Sequence, residues 1–227
     1  METCLYVDGI NLYQSLLKGT PYKWLDVLAL FEHQVLRTVT PDAKVVCLKY
    51  FTAPVLASYS RHGKEADLAQ STYLRALRTS GAGRVEIIEG FHLFEQTATP
   101  RWIEGVPPHR DHMVQVWRLK EKQTAVQMAM HLYRDAVRGR YAQQVICSGD
   151  ADLEPCLAFL RADAPSIRLG LVTPLRLESQ QASMANTRLA PYANWVRQSI
   201  SRDELAAAQF ADPILGGKNP LNKPAHW

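Results

Sequence analysis

An apolar run that ends in two closely spaced carboxylates constrains the fold of this chain most. Residues 145–149 are apolar or small, and Asp150 and Asp152 follow at once. The apolar spacing after Asp152 suits a helix, so the stretch predicts a buried strand, a tight loop and a helix with an acidic first turn. Acids in a first turn are also ordinary helix caps. A second acid in the same setting would favour a functional site.

Asp8 is that second acid. The apolar run at residues 3–7 ends in Asp8, and Gly9 and Asn11 then make a turn before a short helix. Ligand sites in open α/β sheets lie at the carboxyl ends of strands, and carboxylates there can share a hard cation. The sequence therefore predicts that Asp8 meets the Asp150–Asp152 pair and that their strands are neighbours.

Strand-like and helix-like segments alternate along the chain, which predicts a single α/β domain with a mostly parallel sheet and helices on both faces. Strands are predicted at residues 3–8, 45–51, 85–94, 114–119, 144–148 and 167–172. Helices are predicted at residues 12–17, 24–36, 66–79, 122–137, 151–162 and 178–186. Residues 95–113 are rich in Pro, Arg and His and are predicted to form an irregular loop. The domain is predicted to span residues 1–200, with a C-terminal extension at 201–227.

Composition bounds the partners and the compartment. The formal net charge of +4 permits a polyanionic partner but does not demand one. The four cysteines are widely spaced, so they are interpreted as reduced thiols of a cytoplasmic protein and not as a disulfide framework or zinc ligands. No apolar run approaches the roughly 20 residues that cross a bilayer, so no membrane association is expected.

Several stretches together resemble the NYN-domain family, which belongs to the PIN-like nuclease group. The stretches are residues 7–12, 18–26, 120–124 and 148–153, and the tail at 222–227 resembles the end of one bacterial branch. The resemblance implies a Rossmann-like, PIN-like sheet and an endoribonuclease that hydrolyses RNA phosphodiester bonds with Mg²⁺ or Mn²⁺ as its cofactor. It implies RNA as a partner, together with a regulatory or antitoxin-like protein.

The resemblance also implies roles for particular residues. Carried over to this chain, Asp8, Asp150 and Asp152 are metal ligands and catalytic acids, and Asn11 supports the site. The family has Asp where Ala125 stands, so position 125 is a catalytic position without its carboxylate. Either the substitution is engineered, or the natural chain lacks one metal ligand. This form is predicted to be inactive, and Ala125→Asp is predicted to restore cleavage of RNA.

Four residues are predicted to contact the substrate. Asn11 does so from the first turn, and Ser148 stands at the end of the later strand, where a serine can equally satisfy backbone groups. Lys49 is expected near the edge of the site, at the end of the second strand. Lys122 could meet phosphate, although an exposed lysine at a helix start is common.

Two other functions compete with the nuclease. A non-catalytic RNA-binding protein of the same fold would explain the missing acid at position 125. A hydroxylase is a third hypothesis, because some similar proteins carry such a name. It ranks last, since the sequence has no G-x-G-x-x-G motif after a strand and no pattern of two histidines and one carboxylate.

Overall fold

The computed structural model describes residues 1–175, 184–215, 220–225 and 227. The strands in this part of the chain are β1 (Glu2–Asp8), β2 (Lys44–Thr52), β3 (Val85–Glu89), β4 (Phe91–Pro100), β5 (Met113–Lys122), β6 (Gln143–Cys147), β7 (Arg168–Val172) and β8 (Trp195–Arg197). Six of them form one sheet in the order β3-β2-β1-β6-β7-β8, and all of its pairings are parallel. The predicted α/β class with a mostly parallel sheet is therefore confirmed, and so is the adjacency of β1 and β6.

Helices connect the strands. Those in the described ranges are α1 (Gly9–Leu12), α2 (Val27–Ala29), α3 (Leu36–Val39), α4 (Lys64–Ser80), α5 (Thr124–Val137), α6 (Glu154–Asp163), α7 (Met184–Leu189) and α8 (Arg202–Ala207). A π-helical turn at Tyr13–Leu17 extends α1, and another at Leu30–Val35 joins α2 to α3. The helices predicted at 66–79, 122–137 and 151–162 are confirmed. Of the helix predicted at 178–186, residues 178–183 lie outside the described residues.

β1 runs through the middle of the sheet, and both of its faces are buried. Leu5 and Val7 face one core, whereas Cys4 and Tyr6 face the other. Burial on both sides is what a parallel sheet covered by helices requires, and it explains why the strand is almost continuously apolar. Its carboxyl end, at Asp8, is therefore held rigidly from both faces.

The prediction of an irregular loop at residues 95–113 is wrong over much of its length. β4 and β5 form an antiparallel ribbon, paired from Phe91 with Lys122 to Pro100 with Met113. The predicted third strand at 85–94 is split at Gly90, where a side chain would come within 2.4 Å of the carbonyl oxygen of Lys122. Exposed and half-buried side chains alternate along most of β4, so the ribbon lacks the apolar signal of a buried strand.

The end of the chain packs onto the same core as β1. Leu205 of α8, Phe210 and Leu221 are buried there with Leu5, and the ring of Phe210 lies 5.4 Å from that of Trp24. Within the described ranges, the helices are all too short or too polar to cross a membrane.

Candidate functional site

The carboxyl ends of β1 and β6 bring Asp8 and Asp150 to one depression. The two strands pair from Thr3 with Gln143 to Val7 with Cys147, so both end at the same edge of the sheet. The depression encloses about 360 Å³. We call it the acidic cleft, and its lining residues are Asp8, Ile10, Asn11, Gln14, Glu121, Thr124, Ala125, Gly149 and Asp150.

Asp8 is the most enclosed carboxylate of the acidic cleft, with 9% of its surface exposed. Its Oδ1 accepts a hydrogen bond from the backbone N–H of Asn11 at 2.9 Å, and its Oδ2 accepts one from the Ser148 hydroxyl at 3.2 Å. Burial raises the pKa of Asp8, the two hydrogen bonds oppose that rise, and the charges of Asp150 and Glu121 add to it. The cleft thus holds a carboxylate whose ionised form is disfavoured.

Asn11 and Ser148 tie the two strand ends together. The backbone N–H of Gly149 donates to Asn11 Oδ1 at 2.8 Å, and that of Asp150 donates to Ser148 Oγ at 3.1 Å. These bonds satisfy backbone groups of the turn after β6, and for Ser148 this is the alternative that the sequence left open. A contact of either residue with substrate stays a prediction.

Asp152 does not join the other two acids. Its backbone N–H donates to Asp150 Oδ1 at 2.9 Å, which caps the helical turn at Ala151–Leu153. Its own side chain is exposed and does not line the acidic cleft. Of the three predicted acids, Asp8 and Asp150 therefore line the cleft and Asp152 does not.

Glu121 is the acid of the cleft that the sequence analysis left without a role. Its Oε1 accepts hydrogen bonds from both the backbone N–H, at 2.9 Å, and the hydroxyl of Thr124, so it caps the start of α5. Ala125 follows in the first turn of α5 and lines the cleft, as the resemblance implied. The available signal was an acid three residues before the helix start, at the end of a strand.

The structure does not bring the two predicted lysines to the acidic cleft. Lys49 lies three residues before the end of β2, is 2% exposed, and forms an ion pair with Asp135 on α5. Its Nζ is also 3.2 Å from His131 Nδ1. Lys122 ends β5 and is half-buried outside the cleft lining. Lys49 is in register with Tyr6, two residues before Asp8, and its side chain is buried against α5, so it does not reach the end of the strand.

A second cavity shares Ile10 and Gln14 with the acidic cleft. It encloses about 290 Å³, and we call it the aromatic pocket. Its lining includes the aromatic residues Tyr13, Tyr50, Tyr73 and Trp227 and the polar residues Lys23, His62, Gln70 and His92. No sequence motif predicts this pocket, because its lining residues come from stretches that are far apart along the chain.

Aromatic contacts and polar anchors shape the aromatic pocket. The Tyr73 ring lies 6.2 Å from that of Tyr50 and 5.2 Å from that of Trp227. Gln70 of α4 donates to the carbonyl of Ala53 at 2.9 Å and accepts from the backbone N–H of Val55 at 2.7 Å, which fixes the chain after β2. These contacts fix the positions of the pocket walls.

Comparisons with known proteins place the chain in an enzyme family. No family model matches it. A structure of a protein of unknown function from Vibrio parahaemolyticus RIMD 2210633 aligns with 89% of this chain and 94% of its own, at 14% identity and a TM-score of 0.48, too weak a likeness for a functional argument. The chain is 35% identical to 6-hydroxy-3-succinoylpyridine 3-monooxygenase HspA of Pseudomonas putida (strain DSM 28022 / S16), over 100% of this chain and 75% of that protein. The sheet and its helices define an α/β protein. The identity of 35% shows that the chain belongs to the enzyme family of HspA.

That finding corrects the function inferred from the acids. The name of the relative is that of an oxidoreductase, so the predicted metal-dependent ribonuclease is wrong, as are its RNA-binding alternative and the Mg²⁺ or Mn²⁺ cofactor. The physical reason is visible in the cleft, where Asp8 and Asp150 accept hydrogen bonds as caps and Asp152 stands apart. Among the described residues, no three His, Cys, Asp or Glu side chains are placed to hold a metal ion. The NYN resemblance and the RNA and regulatory partners stay predictions.

Proposed function

We propose that the chain is a monooxygenase that hydroxylates a pyridine ring bearing a hydroxyl group and an acidic side chain. The observation that carries this proposal is the 35% identity to HspA along the whole chain. The hydroxylase hypothesis, which the sequence alone ranked last, is therefore the one that the relative favours.

The reaction class fixes what must enter the site. A monooxygenase puts one atom of O₂ into its organic product, and the other atom leaves as water with two protons. Two electrons are required, and a reduced flavin or nicotinamide is the chemical class that supplies them. The substrate is an anion at neutral pH because of its carboxylate side chain.

The residues at the strand ends do not fit a dinucleotide cofactor. A pyrophosphate would occupy the N-terminus of the helix after the first strand, next to several glycines. Here the carboxylate of Asp8 caps that N-terminus, and Glu121 and Asp150 add negative charge beside it. Gly9 is the one glycine of the turn, and the Tyr50 ring fills the space beside it. A dinucleotide cofactor is therefore not expected to bind at this edge of the sheet.

The same acids disfavour the anionic substrate in the acidic cleft. A carboxylate brought next to Asp8, whose own ionisation is already opposed by burial and by two neighbouring acids, would meet further repulsion. The chain's contribution to hydroxylation is thus expected away from that cleft, through residues that bind and orient the ring.

The test is a turnover assay with the full chain in ¹⁸O₂. The purified protein is incubated with 6-hydroxy-3-succinoylpyridine and NADH, in parallel with FAD, FMN or Fe²⁺, and the products are read by mass spectrometry. We expect a product that contains one ¹⁸O atom and that is absent when either O₂ or the protein is left out. If no supplement gives such a product while the substrate still binds, the proposal is overturned.

A further inference from the structure

We infer that the aromatic pocket is a binding site for a single heteroaromatic ring that carries a carboxylate side chain, with Lys23 as the anchor of the carboxylate. The inference names the substrate class and rests on the proposed function for the identity of the ligand. The pocket itself is defined by the structure independently of that function.

The size and the walls of the pocket suit one ring. Its volume of about 290 Å³ is just below the range of ordinary ligand pockets, which are about 300–1,000 Å³. Tyr13 is 37% exposed and Trp227 is half-buried, so both offer aromatic surface to the pocket, whereas the buried Tyr50 and Tyr73 form its packed wall. Stacked or edge-on contacts with such rings favour a planar aromatic ligand over a flexible aliphatic one.

The charge around the pocket suits an anion. None of the described residues that line it is acidic, whereas Lys23, His62 and His92 are basic. The acidic cleft, which adjoins the pocket at Ile10 and Gln14, has the opposite charge. A ligand with a carboxylate is therefore directed into the aromatic pocket and away from the cleft.

Lys23 is the group best placed to hold the carboxylate. It is half-buried at the pocket, and partial burial lowers the pKa of its ammonium group, with the charge of Lys223 lowering it further. A bound carboxylate would offset both effects by supplying an opposite charge. A charge-assisted hydrogen bond of this kind is stronger than a neutral one.

His92 adds a second polar group to the lining of the pocket. Its Nδ1 lies 3.0 Å from the carbonyl oxygen of Pro54, so a neutral His92 donates there and presents Nε2 as an acceptor. A ring hydroxyl is a matching donor. Lys23 and His92 thus provide an anion site and an acceptor in the lining of one aromatic pocket.

Binding is measured by calorimetry on the full chain, without any electron donor, so that the result is independent of turnover. The probes are 6-hydroxy-3-succinoylpyridine, 2-hydroxypyridine, which lacks the carboxylate, and succinate, which lacks the ring. We expect the first to bind most tightly, and Lys23→Gln to weaken it about tenfold or more while leaving 2-hydroxypyridine unchanged.

Two matched variants control this experiment. Lys44→Gln makes the same chemical change at an exposed lysine at the start of β2, and it should leave the affinity unchanged. Asp150→Asn alters the acidic cleft and should also leave it unchanged. An affinity within twofold of wild type for Lys23→Gln, or a loss caused by Asp150→Asn instead, would overturn the assignment. If binding depends on Lys23 but no oxygenated product forms, the binding site is supported and the proposed monooxygenase activity is overturned.

Discussion

Two buried aspartates of this protein have opposite surroundings. Asp135 on α5 is fully buried and receives hydrogen bonds from the Tyr6 hydroxyl at 2.8 Å, from the Lys49 ammonium and from Arg140 Nη1 at 3.2 Å. Asp8, at the carboxyl end of β1, accepts hydrogen bonds from a backbone N–H and a serine hydroxyl, and its charged neighbours include two further acids. One carboxylate is surrounded by cations and the other by like charge.

The pKa values respond in opposite directions. Burial opposes ionisation of Asp135, but the bonds from Lys49 and Tyr6 and the charges of Lys49 and Arg140 outweigh it and lower its pKa. The pKa of Asp8 is raised. Ionised Asp135 therefore stabilises the fold, whereas ionised Asp8 is held at a cost in stability.

Removing the charge of Asp135 should produce the largest effect. Asp135→Asn removes the buried counter-ion of the Lys49 ammonium and leaves only the more exposed Glu86 carboxylate, 3.8 Å away, so we expect a loss of about 3–5 kcal/mol in the free energy of unfolding. Urea denaturation at pH 7.5 measures it. Because the pKa of Asp135 is lowered in the folded state, its contribution is present above the unfolded pKa of about 3.9 and is lost as the pH falls through the folded value.

A double variant sharpens that prediction. Lys49→Met combined with Asp135→Leu removes both charges, and it should be less destabilised than Asp135→Leu alone. If the single and double variants lose the same free energy, the pair does not interact as described.

Glu121→Ala should have an intermediate effect. The substitution removes the cap of α5 at Thr124, which we expect to lower the free energy of unfolding by about 1 kcal/mol. It also removes a negative charge near Asp8, so the pKa of Asp8, followed by NMR, should fall. Glu121→Gln keeps an acceptor oxygen for the cap and should be nearly neutral in stability. Equal losses for Ala and Gln would contradict the capping role.

Asp8→Asn should have the smallest effect, and it should be a gain. Asn caps a helix as well as Asp does, and it carries no charge, so we expect about 0.5 kcal/mol of added stability at pH 7.5. Because the folded pKa of Asp8 is raised, the penalty in wild type is present above the folded pKa. The penalty fades as the pH falls through that value and is absent below the unfolded pKa. The two proteins should therefore converge at low pH, and a gain that persists there would rule out charge as its cause.

The sequence predicted the part of the molecule that depends on local pattern. Apolar runs ending in acids were enough to pair β1 with β6 and to bring Asp8 and Asp150 to one edge. The pattern could not say what the acids do there, because a cap and a metal ligand call for the same residues at the same spacing. The hydrogen bonds to Asn11, Ser148 and Asp152 establish the caps, and the relationship to HspA is what overturns the metal role.

The rest depends on contacts between distant residues. Lys49 gave no sign of its partner, since Asp135 lies 86 positions along the chain. The aromatic pocket is lined by Tyr50 of β2, Tyr73 of α4 and Trp227, which are far apart in the sequence and meet only in the folded chain. The ribbon of β4 and β5 could not be predicted from apolar pattern, because its residues are half-buried or exposed and none belongs to a buried core.

The contact between Gly9 and Tyr50 sets the order in which the pocket could be redesigned. A methyl group at position 9 would lie 2.4 Å from Cε1 of Tyr50, and that ring is buried against Tyr73 with little room to swing aside. An engineer who wished to admit a bulkier ligand would therefore begin at position 50, where a smaller residue opens space. Position 9 becomes available for variation only afterwards, so libraries that randomise it alone should return glycine.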